Sequence, residues 1–168
     1  MGISMYQASA PRFANSLGNL SAFLDKAQAH CEAKKIDPLV LTAHRLYPDM
    51  FPLSRQVQIA CDTAKGAVAR LAGVEVVKHE DTEQSFADLK ARIAKTLAIV
   101  KGFKPAQIDG SEDRDITLKV GPTELKFKGM QYLLGFALPN FFFHVVTAYD
   151  ILRHNGVEIG KRDFIGNP

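Results

Sequence analysis

The chain has 168 residues and a net charge of +3, with Lys and Arg interspersed among Asp and Glu rather than gathered into patches. That balance excludes the basic stripe of a nucleic-acid binder. A hydrophobic content of 46% with 23% charged residues is ordinary for a globular chain. A domain of this size buries roughly 70% of the surface its unfolded chain exposes, so one domain over 1–168 needs no staple.

Cys31 and Cys61 stand far apart and form no CxxC pair. Buried thiols in a reducing cytoplasm are the expectation. The opening MGISMYQASAPRF has no basic region ahead of an apolar core, so no secretory leader is expected. The Ser or Thr of a myristoylation signal is missing from GISMYQ as well.

Met5 to Lys34 reads as the first long helix, capped by Ser4. Phe13, Leu17, Leu20, Leu24 and Ala27 recur at spacings of three and four, which is one helix face. Pro11 removes a backbone donor, so a start or kink is expected near Ser9 to Pro11. Asp37-Pro38 is a cap followed by proline at the first helical position, opening a short helix to Ala43 and then a loop from His44 to Phe51. The second long helix runs from Pro52 to about Ala72, with Leu53, Val57, Ala60, Cys61, Ala64, Val68 and Leu71 as its stripe and Gly73 as its terminator. Its many small residues predict close packing against a neighbour.

Val74 to Asp81 reads as a linker. Thr82 is the expected cap of the third helix, whose stripe is Phe86, Leu89, Ile93, Leu97 and Val100. Asp88, Lys90, Arg92 and Lys95 fall on its expected solvated face. Gly102 and Pro105 end it. Next, Ile116, Leu118 and Val120 alternate with polar residues, as do Leu125 and Phe127, with Gly121-Pro122-Thr123 between. This is a β-hairpin that lays one apolar face on the helices. A fourth long helix, from about Met130 to Asn155, is expected to be broken by Pro139 and terminated at Gly156. The tail is expected to order if Phe164 and Ile165 find a pocket.

The stretch Gly129 to Tyr149 carries no formal charge and is long enough to cross a bilayer. Gln131, Asn140, His144 and Thr147 interrupt it, and the other long helices are amphipathic. A helix apolar all round is also what the centre of a bundle requires. A soluble bundle with no membrane span is the expectation.

None of the five histidines forms an HxxxH or HExxH pair, and no nucleophile elbow, Walker loop or Rossmann glycine pattern is present. His79 and His154 are expected in solvent, and His44 near the surface. Asn140, His144 and Thr147 share one polar strip of an apolar helix. Buried polar groups need partners, so the strip is either a satisfied core network or a ligand pocket.

Two stretches, PDMFPLSRQVQIACDTAKGAVARLAG (Pro48 to Gly73) and HVVTAYDILRHNGVEIGKRDFIG (His144 to Gly166), together with ISMYQAS near the start, resemble an uncharacterised bacterial family grouped with the DinB/YfiT-like superfamily, which includes metal-binding members. The resemblance implies an all-α, DinB/YfiT-like four-helix bundle, often a homodimer, with the hairpin between its third and fourth long helices. In metal-binding members of the superfamily, one second-helix histidine and an HxxxH pair on the last helix hold a divalent ion, and some members transfer low-molecular-weight thiols. Carried over residue by residue, the last-helix pair falls on Asn140 and His144. The second-helix histidine falls on Gln56, or on Gln58 if the placement slips by two. Amide oxygens are poor ligands for zinc or nickel, so no metal and no cofactor is expected. A hydrogen-bonded trio of Gln56, Asn140 and His144 takes the metal position instead.

Three functions stay open at this point. One is small-molecule binding in a pocket lined by Gln56, Asn140 and His144, with any transferase activity unproven. Another is a non-catalytic dimeric interaction module. The third is a metalloenzyme with atypical ligands, which requires an extra group such as His44 or Asp62. Substrate and pathway are not written in the sequence.

Overall fold

The computed structural model describes residues 2–167, with every side chain among them except that of Val120. Four long helices form the bundle: α2 (Ala10–Lys34), α4 (Leu53–Ala72), α5 (Phe86–Gly102) and α8 (Leu138–His154). Helix α4 lies between α8 and α5, and α2 closes the ring against α5, with smaller contacts to α4 and α8. The apolar stripes read from the sequence converge in one core, where Phe13, Leu17, Leu24, Val57, Ala64, Val68, Leu89, Ile93, Phe141 and Ile151 are sealed from solvent. Phe13 and Phe141 meet edge to face at 4.9 Å, joining α2 to α8. Cys31 and Cys61 are free, buried thiols, and burial pushes the Cys61 thiol up to about 12.

The expected kink near Pro11 is a break. Ser4 caps a single turn, α1 (Met5–Ala8), in a reciprocal box with Gln7. The chain then turns at Ser9, and α2 begins with Pro11 at its second position, where no backbone donor is needed. Asp37 caps α3 (Pro38–Thr42) as its sequence predicts. The small residues of α4 are spent on packing: Ala60, Ala64, Gly66 and Ala67 are buried.

Three expectations about the middle of the chain are corrected. Thr82 is not a cap. Ser85 caps α5 in a box with Asp88, and residues 74–85 run as a strap without regular structure. Arg92 is not solvated. Its side chain is 1% exposed and pairs with Asp62 at 2.7 Å and with Asp81 and Glu83 at 3.0 Å each. Those carboxylates come from α4 and from the strap, so the strap is pinned by charge over the α4–α5 seam. His79, on the same strap, keeps its Nδ1 buried with no partner among the described residues. Burial, then the charges of Lys65 and Arg92, holds its pKa below the usual histidine value.

After a short turn, α6 (Pro105–Ile108), the hairpin forms as expected: β1 (Asp115–Val120) pairs antiparallel with β2 (Thr123–Lys128), setting Ile116 opposite Phe127 and Leu118 opposite Leu125. Gly121 makes its turn at φ 57°. Ile116 is buried, and Leu118 and Phe127 pack against the core. Val120 was expected on the same face, but its side chain lies outside the described residues.

Pro139 does not break the last helix. The run from Gly129 to His154 is continuous: α7 (Gly129–Tyr132), a π-helical turn over Leu133–Ala137, then α8. A proline inside a helix removes one donor and clashes with the carbonyl four residues earlier, here that of Gly135. The wider turn moves that carbonyl aside, and both Pro139 and Gly135 are exposed, so water can satisfy it. The 26-residue run is long and apolar enough to cross a membrane by length and composition. In this fold it is a bundle helix, burying Phe141, His144, Val145, Thr147, Ala148, Ile151 and Leu152. Beyond Gly156, at φ 86°, a short helix α9 (Lys161–Ile165) docks through Phe164, whose ring lies 6.4 Å from Phe23 and 5.9 Å from Tyr149. Ile165 finds no such seat and stays exposed.

Candidate functional site

The candidate site lies on the seam where α4 and α8 face each other. Gln56 belongs to the first turn of α4 and is buried. His144 belongs to the second turn of α8 and is 7% exposed. They meet at 2.7 Å between His144 Nδ1 and Gln56 Oε1. The amide nitrogen of Gln56 donates at 2.9 Å to the Phe51 carbonyl. This fixes the amide with its oxygen toward the ring. That oxygen can only accept, so Nδ1 carries the proton and donates. Nε2 is then the lone-pair nitrogen, and it has no hydrogen-bond partner among the described residues.

The imidazole is held neutral. Burial, then the positive charge of Arg55, lowers the His144 pKa to about 4. At neutral pH the site therefore presents an unprotonated ring of fixed tautomer, a form suited to accepting a proton or a hydrogen bond at Nε2.

The expected trio is divided into two pairs. Asn140, one turn before His144, is half-buried and donates at 2.9 Å to the hydroxyl of Thr63 on α4. Thr147 turns inward onto its own helix and donates at 2.7 Å to the Phe143 carbonyl. The geometry of antiparallel helices explains the division. Moving one turn back along α8 from His144 means moving forward along α4 from Gln56, and Thr63 is the polar residue on that face. Helical spacing from Gln56 to Thr63 was the signal available in the sequence. Gln58 is not part of the seam. It faces the strap and donates to Glu83 at 2.9 Å.

Three further residues flank the Gln56–His144 pair without having been read from the sequence. Phe143 sets its ring edge to face against the imidazole at 5.2 Å and is 57% exposed. Phe51 is 54% exposed, and its carbonyl anchors Gln56. Arg55 lies with its guanidinium carbon 5.9 Å from the centre of the Phe51 ring.

Among the described residues, no three His, Cys, Asp or Glu side chains converge as a metal site. Asp62 is engaged by Lys65 at 2.5 Å and by Arg92. His44 stacks on His154, with ring centroids 6.3 Å apart. A metal at the seam would meet one imidazole nitrogen, His144 Nε2. Gln56 Oε1 is already spent on Nδ1, and the Asn140 amide is tied to Thr63. This donor set does not fit zinc or nickel.

Comparisons with known proteins agree with this architecture. Residues 5–165 match the family described as Domain of unknown function (DUF1993). A crystal structure of a DinB family member protein from Shewanella denitrificans at 1.83 Å resolution superposes with a TM-score of 0.87 at 43% sequence identity, covering 97% of this chain and 92% of that one. No curated protein matches. The chain is a member of the DUF1993 family, an all-α, DinB-like four-helix bundle with a small hairpin before its last long helix.

Proposed function

We propose that this protein binds a small molecule on the α4–α8 seam, with His144 Nε2 as the atom that meets the ligand. The observation that carries the reading is the open lone pair of a buried, neutral imidazole whose tautomer Gln56 and Phe51 dictate. Such a nitrogen accepts a hydrogen bond, or removes a proton from a weakly acidic ligand group. Asn140 supplies an amide one turn away. The superfamily's metal-dependent chemistry is not carried over, because the donors at Gln56 and Asn140 do not fit the ion. Placement in the cytoplasm as a single domain is part of the proposal, supported by two buried free thiols.

The test is a fragment screen by NMR on protein with labelled histidine. Ligands are expected to shift the His144 ring resonances, and a folded His144→Ala variant is expected to lose them. A folded variant that binds every fragment unchanged would overturn the reading. The metal argument has its own check. A Gln56→His/Asn140→His double variant would present three imidazoles on the seam and is expected to retain zinc through gel filtration, whereas the parent does not. Stoichiometric zinc in the untagged parent would show that the amides do serve as ligands.

A second reading, a homodimer acting as an interaction module, is favoured by a different observation. Leu39, Val40, Tyr47 and Phe51 between α2 and α4, and Phe143 and Val146 on α8, leave large apolar side chains in solvent. Sedimentation equilibrium separates the two readings. A dimer abolished by Phe143→Asp would favour the module.

A further inference from the structure

The strap over residues 74–85 is gripped at one point and left unsatisfied at the next. Its grip is Arg92, whose Nη1 lies 3.0 Å from a carboxylate oxygen of Asp81 and of Glu83 and donates to the Glu80 carbonyl at 3.0 Å. His79, beside Glu80 in the chain, adds nothing to that grip. Its Nδ1 is buried with no partner among the described residues. A cavity of about 310 Å³ joins it to the guanidinium, lined by Lys78, His79, Glu80, Glu83, Arg92 and Lys95. The charged groups that face the ring come from three elements: Asp62 and Lys65 from α4, Arg92 and Lys95 from α5, and Lys78, Glu80 and Glu83 from the strap itself. Two of these carboxylates are already engaged, Asp62 by Lys65 and Arg92, and Glu83 by Arg92 and Gln58.

These surroundings admit one protonation state. A neutral ring with its hydrogen on Nε2 leaves a bare lone pair at the buried Nδ1, and an unmet acceptor is better tolerated than an unmet N–H. An imidazolium carries a hydrogen on both nitrogens. Its Nδ1–H would be a buried donor without an acceptor, and its charge would join those of Lys65, Arg92 and Lys95. With the strap lifted, water solvates both nitrogens.

We propose that the strap is an acid-released latch: protonation of His79 lifts residues 74–85 from the α4–α5 seam and bares Arg92 and Lys65, both of which the closed form buries. The open form takes up the proton first, since a solvated imidazole titrates near about pH 6.5. Opening is therefore favoured as pH falls below about 6.5, by at most about tenfold per pH unit. Glu80 is the rival to this device. Its side chain is exposed, and a carboxylate that swung in to accept from Nδ1 would tighten the strap with acid instead. No residue of the α4–α8 seam takes part, so the latch stands or falls apart from the ligand reading of His144.

The experiment follows hydrogen exchange of the buried Arg92 Nε–H in the full chain by NMR, relative to free arginine at the same pH, from about pH 7.5 to about pH 5.5. That ratio reads the fraction of molecules with the strap open. It is expected to rise about tenfold toward acid, while α8 amide protection factors stay high. His79→Gln cannot take up the proton and is expected to hold the ratio flat, and His79→Leu gives the same reading if the glutamine form does not fold. A ratio unchanged with pH, or one that falls with acid through capture by Glu80, would overturn the latch. So would an acid response that survives in the His79 variants. Equal loss of protection in α8 would mean that the whole bundle opens, and would overturn it too.

Discussion

Helix α4 carries polar clusters on two faces, and they are built in opposite ways. Toward α5 and the strap, Arg92 is surrounded by Asp62, Asp81 and Glu83, with Lys65 and Gln58 joined to the same carboxylates. Toward α8, His144 has one partner, Gln56, and Asn140 has one, Thr63. The first cluster spends both terminal nitrogens of Arg92 on carboxylates and leaves only its buried Nε without a partner among the described residues. The second leaves the His144 Nε2 lone pair open. A crowded ion network holds a segment in place, while a sparse neutral pair with a free atom is where chemistry has room to happen. Buried charges withdrawn from water demand such partners. A neutral imidazole does not, and can stay open at low cost.

The largest effect is expected from breaking the crowded cluster. Arg92→Met would leave Glu83 without its cation, Asp62 with Lys65 alone and Asp81 with Arg55 alone. It should cost about 3–5 kcal/mol in urea unfolding, and it should raise hydrogen exchange along residues 74–85. A loss below about 1 kcal/mol would mean that the strap is held by something other than this charge.

The sparse pair is expected to show itself through pH. The folded His144 pKa of about 4 lies below the unfolded value of about 6.5. As pH falls, the unfolded chain takes up the proton first, so the stability contributed above about pH 6.5 is lost on the way down to about pH 4. The loss is about 3 kcal/mol, and His144→Gln should flatten that part of the stability–pH curve. An NMR titration placing the His144 midpoint near 6.5 would break the claim that the ring is held neutral. Next in size, Gln56→Leu strands the Nδ1 proton and removes a donor from the Phe51 carbonyl, for about 1–3 kcal/mol by thermal unfolding. Smallest, Asn140→Ala should cost about 0.5–1 kcal/mol, because Asn140 and Thr63 are both partly open to water. A larger cost would show that Asn140 belongs to the buried pair after all.

What could be read before any coordinates follows from the same contrast. Helix stripes, the hairpin alternation and the Asp37-Pro38 cap are periodic or local, and they are visible in order along the chain, whereas the pairing of position 56 with position 144 comes only from the family resemblance. The partner of Asn140 is not visible in this way, because it depends on the direction in which α4 passes α8. The fate of Arg92 was hidden for another reason. Its periodicity places it on a solvated face, and only the strap, which has no periodicity, covers it. Thr82 and Ser85 both look like caps, but Ser85 sits three residues before Asp88 and closes the reciprocal box.

The π-helical turn at Leu133–Ala137 sets the angular phase of the whole C-terminal helix. In a plain α-helix Tyr132 and His144 would point about 120° apart. The surplus residue of the wider turn takes back about 100° of that, so both side chains address α4. Tyr132 meets Arg70 at 3.2 Å, and His144 meets Gln56. The turn thus works as a vernier. It lets one helix keep the hairpin seated at its start and the imidazole aimed at its middle, and losing a single residue there would put the two out of step.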